Sequence, residues 1–115
     1  HHKVEEFLKN GFDANTVDVY GNTLFHVACQ NGNKRIAKLA VKYGGLMDIQ
    51  NNKGNTGLHF LVEYGYKSLA EYFVSKGANP SLENDNNLSY SRGVTGVPDG
   101  PLSPVDVIHE FTFKK

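Results

Sequence analysis

Apolar residues recur along the chain at steps of three and four, in short runs broken by glycine. Leu24, Phe25, Val27, Ala28 and Cys29 predict a short apolar helix that ends at Asn31-Gly32. A second helix is predicted from Arg35 to Tyr43, with Ile36, Leu39, Ala40 and Tyr43 on one face and Gly44-Gly45 as the stop. Leu39 is therefore expected in the core between the helices. Thr23 stands at the N-cap of the first helix, where its hydroxyl accepts an orphan backbone N–H. Ahead of it, Asp18 and Gly21 bracket a tight turn in which glycine supplies the positive φ. Helix, turn, helix and loop fill 18–50 and leave no room for a strand of ordinary length. Neither helix can bury its apolar face alone, so such units must stack.

The pattern repeats. Gly21-Asn22-Thr23-Leu24-Phe25-His26 returns 33 positions later as Gly54-Asn55-Thr56-Gly57-Leu58-His59. Gly11, Gly44 and Gly77 keep the same step, as do Gly32 and Gly65, and Thr23, Thr56 and Ser89. Gly21 and Gly54 lead to Asn87, the next-best residue for a positive φ. The expected units are 18–50, 51–83 and a degenerate 84–115, preceded by a partial unit at 1–17.

These residues resemble the ankyrin repeat, whose pattern runs Asp-x-x-Gly-x-Thr-Pro-Leu-His-x-Ala, then Gly and an aliphatic second helix. One unit here reads Asp18, Gly21, Thr23, His26, Ala28, Gly32, Ile36, Leu39, Gly44. The next reads Asn51, Gly54, Thr56, Leu58, His59, Gly65, Leu69, then Gly77-Ala78-Asn79-Pro80. The family proline is Leu24 in one unit and Gly57 in the other; Gly57 is expected to loosen its helix by roughly 1 kcal/mol relative to Ala. The resemblance implies an all-α ankyrin-repeat solenoid with hairpin loops projecting from one edge. It implies a non-catalytic module that binds a protein partner through hairpin tips and the concave face. The positions concerned are Val19, Tyr20, Asn22, Gln30 and Asn31 in one unit, Asn52, Lys53, Asn55, Glu63 and Tyr64 in the next, and Asp85 and Asn86 in the third. Tyr20 and Tyr64 are the expected anchors, since tyrosine is enriched in binding hot spots. The alternative is a structural spacer or intramolecular docking segment of a larger multidomain protein.

The ends are irregular. Lys3 to Val17 match only a second helix and its closing loop, which suggests a fragment of a longer protein; His1-His2 resemble the tail of a purification tag. Near the other end, Tyr90 to Val94 is compatible with a short capping helix, followed by a Gly- and Pro-rich loop over 95–102. Ser103-Pro104 would then open a terminal helix with Val105, Val107, Ile108 and Phe111 on its apolar face. In a competing alignment, Ser103 to Ile108 is the first helix of the third unit and 89–102 is an insertion in the hairpin loop.

Composition narrows the function classes. Twelve Lys and Arg balance twelve Asp and Glu, so no global field draws nucleic acid or an anionic membrane. The lysines look scattered along the sequence. No apolar stretch is long enough to span a bilayer. The single cysteine, Cys29, cannot form an intrachain disulfide and fits a reducing compartment, cytoplasmic or nuclear. His26 and His59 invite a metal or catalytic reading, but they lie one repeat apart, and the resemblance implies a structural role for both. Cys29 fills a position the family gives to alanine and is expected in the core. Phosphate-loop chemistry lacks its lysine and strand. No cofactor, metal or small-molecule substrate is expected.

Overall fold

A computed structural model describes residues 2–92. Its helices are α1 (His2–Lys9), α2 (Leu24–Gln30), α3 (Lys34–Lys42), α4 (Gly57–Glu63) and α5 (Lys67–Ser75), and a 3-10 turn spans Tyr90–Arg92. No strand occurs among the described residues. Helix α2 packs on α3 and on α4; α4 packs on α5 and on the 3-10 turn; α1 leans on α3. The all-α stack is thus built from neighbour-on-neighbour contacts.

The predicted Thr23 cap is present, and Asn33 supplies a second, unpredicted one. The Thr23 hydroxyl accepts the His26 N–H at 3.3 Å, and Asn33 caps α3 by accepting the Ile36 N–H at 3.1 Å. Between the helices, Phe25, Leu58, Leu61 and Phe73 form the bulk of the core, each no more than 2% exposed. The Phe25 and Phe73 rings meet edge to face, 5.1 Å between centroids. Ala37, Ala40 and Ala70 are fully buried and let the second helices lie close to the first.

Two local expectations are corrected. Leu39 is half-buried on the outer side of α3, in a shallow groove with Lys34, Arg35, Lys38 and Lys42. The buried face of α3 is carried by Ala37 and Ala40, flanked by Ile36 and Val41. Gly57 does more than loosen a turn: a Cβ there would collide with the Phe25 ring and stand 2.9 Å from the Cys29 sulfur. The missing side chain is the space into which Phe25 packs. The terminal helix expected over 103–111, the loop over 95–102 and the alternative first helix at Ser103 to Ile108 lie outside the described residues. Of the expected capping segment, Tyr90–Arg92 is described, and it forms the 3-10 turn against α4.

Candidate functional site

Three hairpin fingers project beside the first helices, each closed by its own backbone: Asp18 N–H to Asn22 O, Asn51 N–H to Asn55 O, and Asn84 N–H to Leu88 O. The first residue of each finger organises the turn with its side-chain oxygen. Asp18 Oδ1 accepts the Tyr20 and Asn22 N–H groups at 2.9 Å. Asn51 Oδ1 accepts those of Lys53 and Asn55 at 3.0 and 2.9 Å, and Asn84 Oδ1 those of Asn86 and Leu88 at 2.9 and 3.1 Å. Successive fingers are also tied together. Asn52 N–H donates to Tyr20 O, and Asp85 N–H donates to Lys53 O, both at 2.9 Å. Gly21 sits at φ 79° with Asn52 against it; a Cβ would come within 2.9 Å of the Asn52 nitrogen. Glycine is therefore required there both for conformation and for close approach.

A second set of links corrects the expectation that Asn22 and Asn55 touch a partner. Asn51 Nδ2 donates to Asn22 Oδ1 at 2.8 Å, and Asn84 Nδ2 donates to Asn55 Oδ1 at 2.9 Å. Asn22 and Asn55 are buried by these bonds, at 8% and 2% exposure. They hold finger to finger and offer nothing to solvent. The row ends at Leu88, whose side chain has no acceptor.

The histidines form a third row. An amide N–H can only donate, so Nδ1 of His26 is the acceptor for Thr23 N–H at 3.0 Å. Its proton sits on Nε2, which donates to Asn55 O at 2.9 Å. His59 repeats this with Thr56 N–H at 3.0 Å and Leu88 O at 2.7 Å. Burial pushes both imidazoles below their ordinary pKa, against the raising effect of the carbonyls they bond. Phe60 packs edge-on against His26, 6.0 Å between centroids. Each ring is fully occupied in joining one unit to the next. Burial pushes the Cys29 thiol far above its usual range, which leaves it no nucleophilic character at neutral pH. Among the described residues no group of His, Cys, Asp and Glu is placed to hold a metal ion.

Of the remaining expected contact residues, Val19 (83% exposed) and Tyr20 (58%) stand out at the first fingertip, and Asn52, Lys53, Asp85 and Asn86 continue the row in solvent. Asn31 is exposed, though its side-chain amide is turned back onto Val27 O at 2.8 Å. Gln30 and Glu63 are half-buried. Tyr64 is a correction: it is 3% exposed, its ring stacked on Phe60 at 6.3 Å, and burial raises its phenol pKa. It is a core residue and cannot anchor a partner. One surface was missed. The apparently scattered lysines Lys34, Lys38 and Lys42 line up one helical turn apart on α3, beside Arg35. The i, i+4, i+8 spacing in a helix without any acidic residue was the available signal.

Stacked helix pairs, capped by threonine and joined by finger and histidine bonds, define a repeat-protein class. Residues 1–84 match the family described as ankyrin repeats in three copies, and the chain belongs to that family. It is 32% identical over 82 residues to the ADP-ribosylation factor GTPase-activating protein AGD2 of Arabidopsis thaliana, covering 71% of this chain and 10% of that protein. It is 35% identical over 71 residues to human protein phosphatase 1 regulatory subunit 27, covering 62% of this chain and 46% of the relative. It is 31% identical over 91 residues to mouse NF-kappa-B inhibitor alpha, covering 72% of this chain and 28% of the relative. The chain thus spans less than half the length of each of these proteins. Ankyrin repeats as a class mediate protein–protein interaction.

Proposed function

We propose that this chain is a non-catalytic recognition module whose fingertips grip a protein partner. The observation that carries the reading is the first finger, where Val19 and Tyr20 are strongly exposed on a backbone fixed by Asp18 and by Asn52. An apolar and aromatic pair on a turn that is already rigid loses little conformational entropy on binding. Asn52, Lys53, Asp85 and Asn86 extend the surface with polar groups, and Gln30, Asn31 and Glu63 border it at the ends of the first helices. The relatives include, by name, a protein phosphatase 1 regulatory subunit and an NF-kappa-B inhibitor, which fits a regulatory contact between proteins. A cytoplasmic setting belongs to this reading, because Cys29 is a free buried thiol.

The test places a photo-crosslinking amino acid at Tyr20 and, as a control, at Ser75 at the end of α5. A discrete protein adduct at Tyr20 and none at Ser75 is the expected result. The adduct is then identified, and Tyr20→Ala is expected to weaken the purified pair about tenfold or more, as loss of a tyrosine hot spot does. Equal labelling at both positions, or an unchanged affinity, overturns the fingertip reading in favour of the spacer.

A further inference from the structure

We infer that the outer face of α3 is a second docking surface, one that takes an acidic peptide segment in extended form. Lys34, Arg35, Lys38 and Lys42 are all exposed on this helix, which has no acidic residue. A third of the chain's twelve cationic side chains therefore crowd one helix of an otherwise neutral molecule. Lys42 lies 4.0 Å from Glu5 of α1, which half-neutralises that end. Among the described residues no ion pair engages Lys34, Arg35 or Lys38. Instead Lys34 Nζ lies 4.5 Å from the centre of the Tyr72 ring on α5, with Lys38 Nζ and Lys76 Nζ each 5.6 Å away. Three ammonium groups gathered round one ring, with Leu39 lining the groove beside Lys34, Arg35, Lys38 and Lys42, make a cationic surface with apolar groups within it.

Geometry selects the occupant. Lysines four apart on a helix are separated by about 6 Å along its axis. Alternate residues of an extended peptide are separated by about 6.6 Å on one side of the chain. Two acidic side chains at alternate positions thus pair in register with Lys34 and Lys38, while an intervening residue reaches Leu39 or the Tyr72 ring; Lys42, beside Glu5, closes the end of the row. Affinity for duplex nucleic acid grows with the number of phosphates neutralised, and four cations on one helix of a chain with zero formal net charge neutralise few. An anionic membrane would recruit a polybasic run together with an inserted apolar residue, and Leu39 is half-buried among the cations of α3.

The experiment titrates the whole chain into a fluorescent peptide alternating glutamate with leucine and serine, at low salt. The expected result is saturable binding that falls as salt rises. The double reversal Lys34→Glu with Lys38→Glu is expected to weaken it about tenfold or more, and neutralisation by glutamine at both positions by less. Lys67→Glu, at the equivalent position of α5, and Tyr20→Ala are expected to leave it unchanged. The Tyr20→Ala arm separates this surface from the fingertip reading, so that either can fail alone. The inference is overturned by absence of peptide binding, by equal loss in Lys67→Glu, or by tighter binding of phosphatidylserine vesicles or duplex DNA. Melting curves of the variants, unchanged for surface substitutions, show that any loss is not one of fold.

Discussion

Replacing Gly57 by alanine sets two effects of opposite sign against each other. Gly57 is the first residue of α4, directly after the cap Thr56. Alanine in place of glycine favours a helix by about 1 kcal/mol in its interior and by less at its first position. Propensity alone thus predicts a gain. Packing predicts the reverse. The new Cβ would overlap the Phe25 ring and stand 2.9 Å from the Cys29 sulfur. Phe25 is 1% exposed and braced against Phe73, so its ring has no empty space to enter. Overfilling such a site costs about 1–3 kcal/mol. The expected outcome for Gly57→Ala is a net loss of about 1–2 kcal/mol in urea unfolding followed by circular dichroism. Phe25→Leu destabilises by itself, but it also makes room. The double variant is therefore expected to be more stable than the sum of the single losses, with a coupling of about 1 kcal/mol. A stabilised Gly57→Ala, or strict additivity with Phe25→Leu, would refute the claim that the glycine is the receptor for the ring.

Other outcomes follow from the bonds between units. The folded pKa values of His26 and His59 lie below the ordinary 6.5, so as pH falls the unfolded chain takes up protons first. Stability is then intact above that value and declines beneath it, at no more than about 1.4 kcal/mol per pH unit for each histidine. Urea midpoints that stay flat as pH falls through that window would contradict the burial of neutral imidazoles. Asn51→Asp keeps the two acceptor bonds to Lys53 and Asn55 but loses the donor to Asn22; a cost of about 1–3 kcal/mol is expected, whereas Asp18→Asn should stay within about 0.5 kcal/mol. Leu39→Ala should cost about 1 kcal/mol or less, and Leu61→Ala, fully buried, about 2–5 kcal/mol; equal losses would show that the facing of α3 is wrong.

The repeat, the caps and the turns could be read from sequence because each is a local pattern. Thr23 announces a helix three residues before His26, and Gly21 announces a turn, whatever surrounds them. The errors arose where a neighbour decides. In α3 the three-and-four spacing sets Leu39 on one face with Ile36, Ala40 and Tyr43; the close approach of α2 instead puts the small Ala37 and Ala40 inside. Tyr64 stands one repeat after exposed Asn31; the Asn31 amide turns back only to the Val27 carbonyl, whereas the larger Tyr64 ring stacks on the Phe60 ring and is buried by it. Asn22 and Asn55 look like free loop amides until the next finger arrives with Asn51 and Asn84. One clue was present: both asparagine pairs keep the same separation of 29 residues.

The three rows of bonds share a direction, and that has a consequence for the proposed function. Tyr20 O is held by Asn52 N–H, Val19 O by Asn52 Nδ2, and Asn22 Oδ1 by Asn51 Nδ2. His26 of the first unit reaches Asn55 O of the second. The finger that bears Val19 and Tyr20 is thus braced by the second unit, and the second finger is braced in the same way by Asn84 and Asp85. A turn of a few residues cannot hold two large exposed side chains in one geometry by itself, since each ordered residue costs about 1–2 kcal/mol of backbone entropy. Rigidity at the fingertips is therefore a property of the stack. A change at Asn84 or His59, remote from Tyr20, should loosen the second finger first and the first finger through it. Amide exchange at Asn52 reports on this directly, because its N–H is the bond between the two fingers. Faster exchange there in Asn84→Ala, without global unfolding, would be the signature of binding surface and fold sharing one set of hydrogen bonds. Unchanged exchange would mean that each finger stands alone.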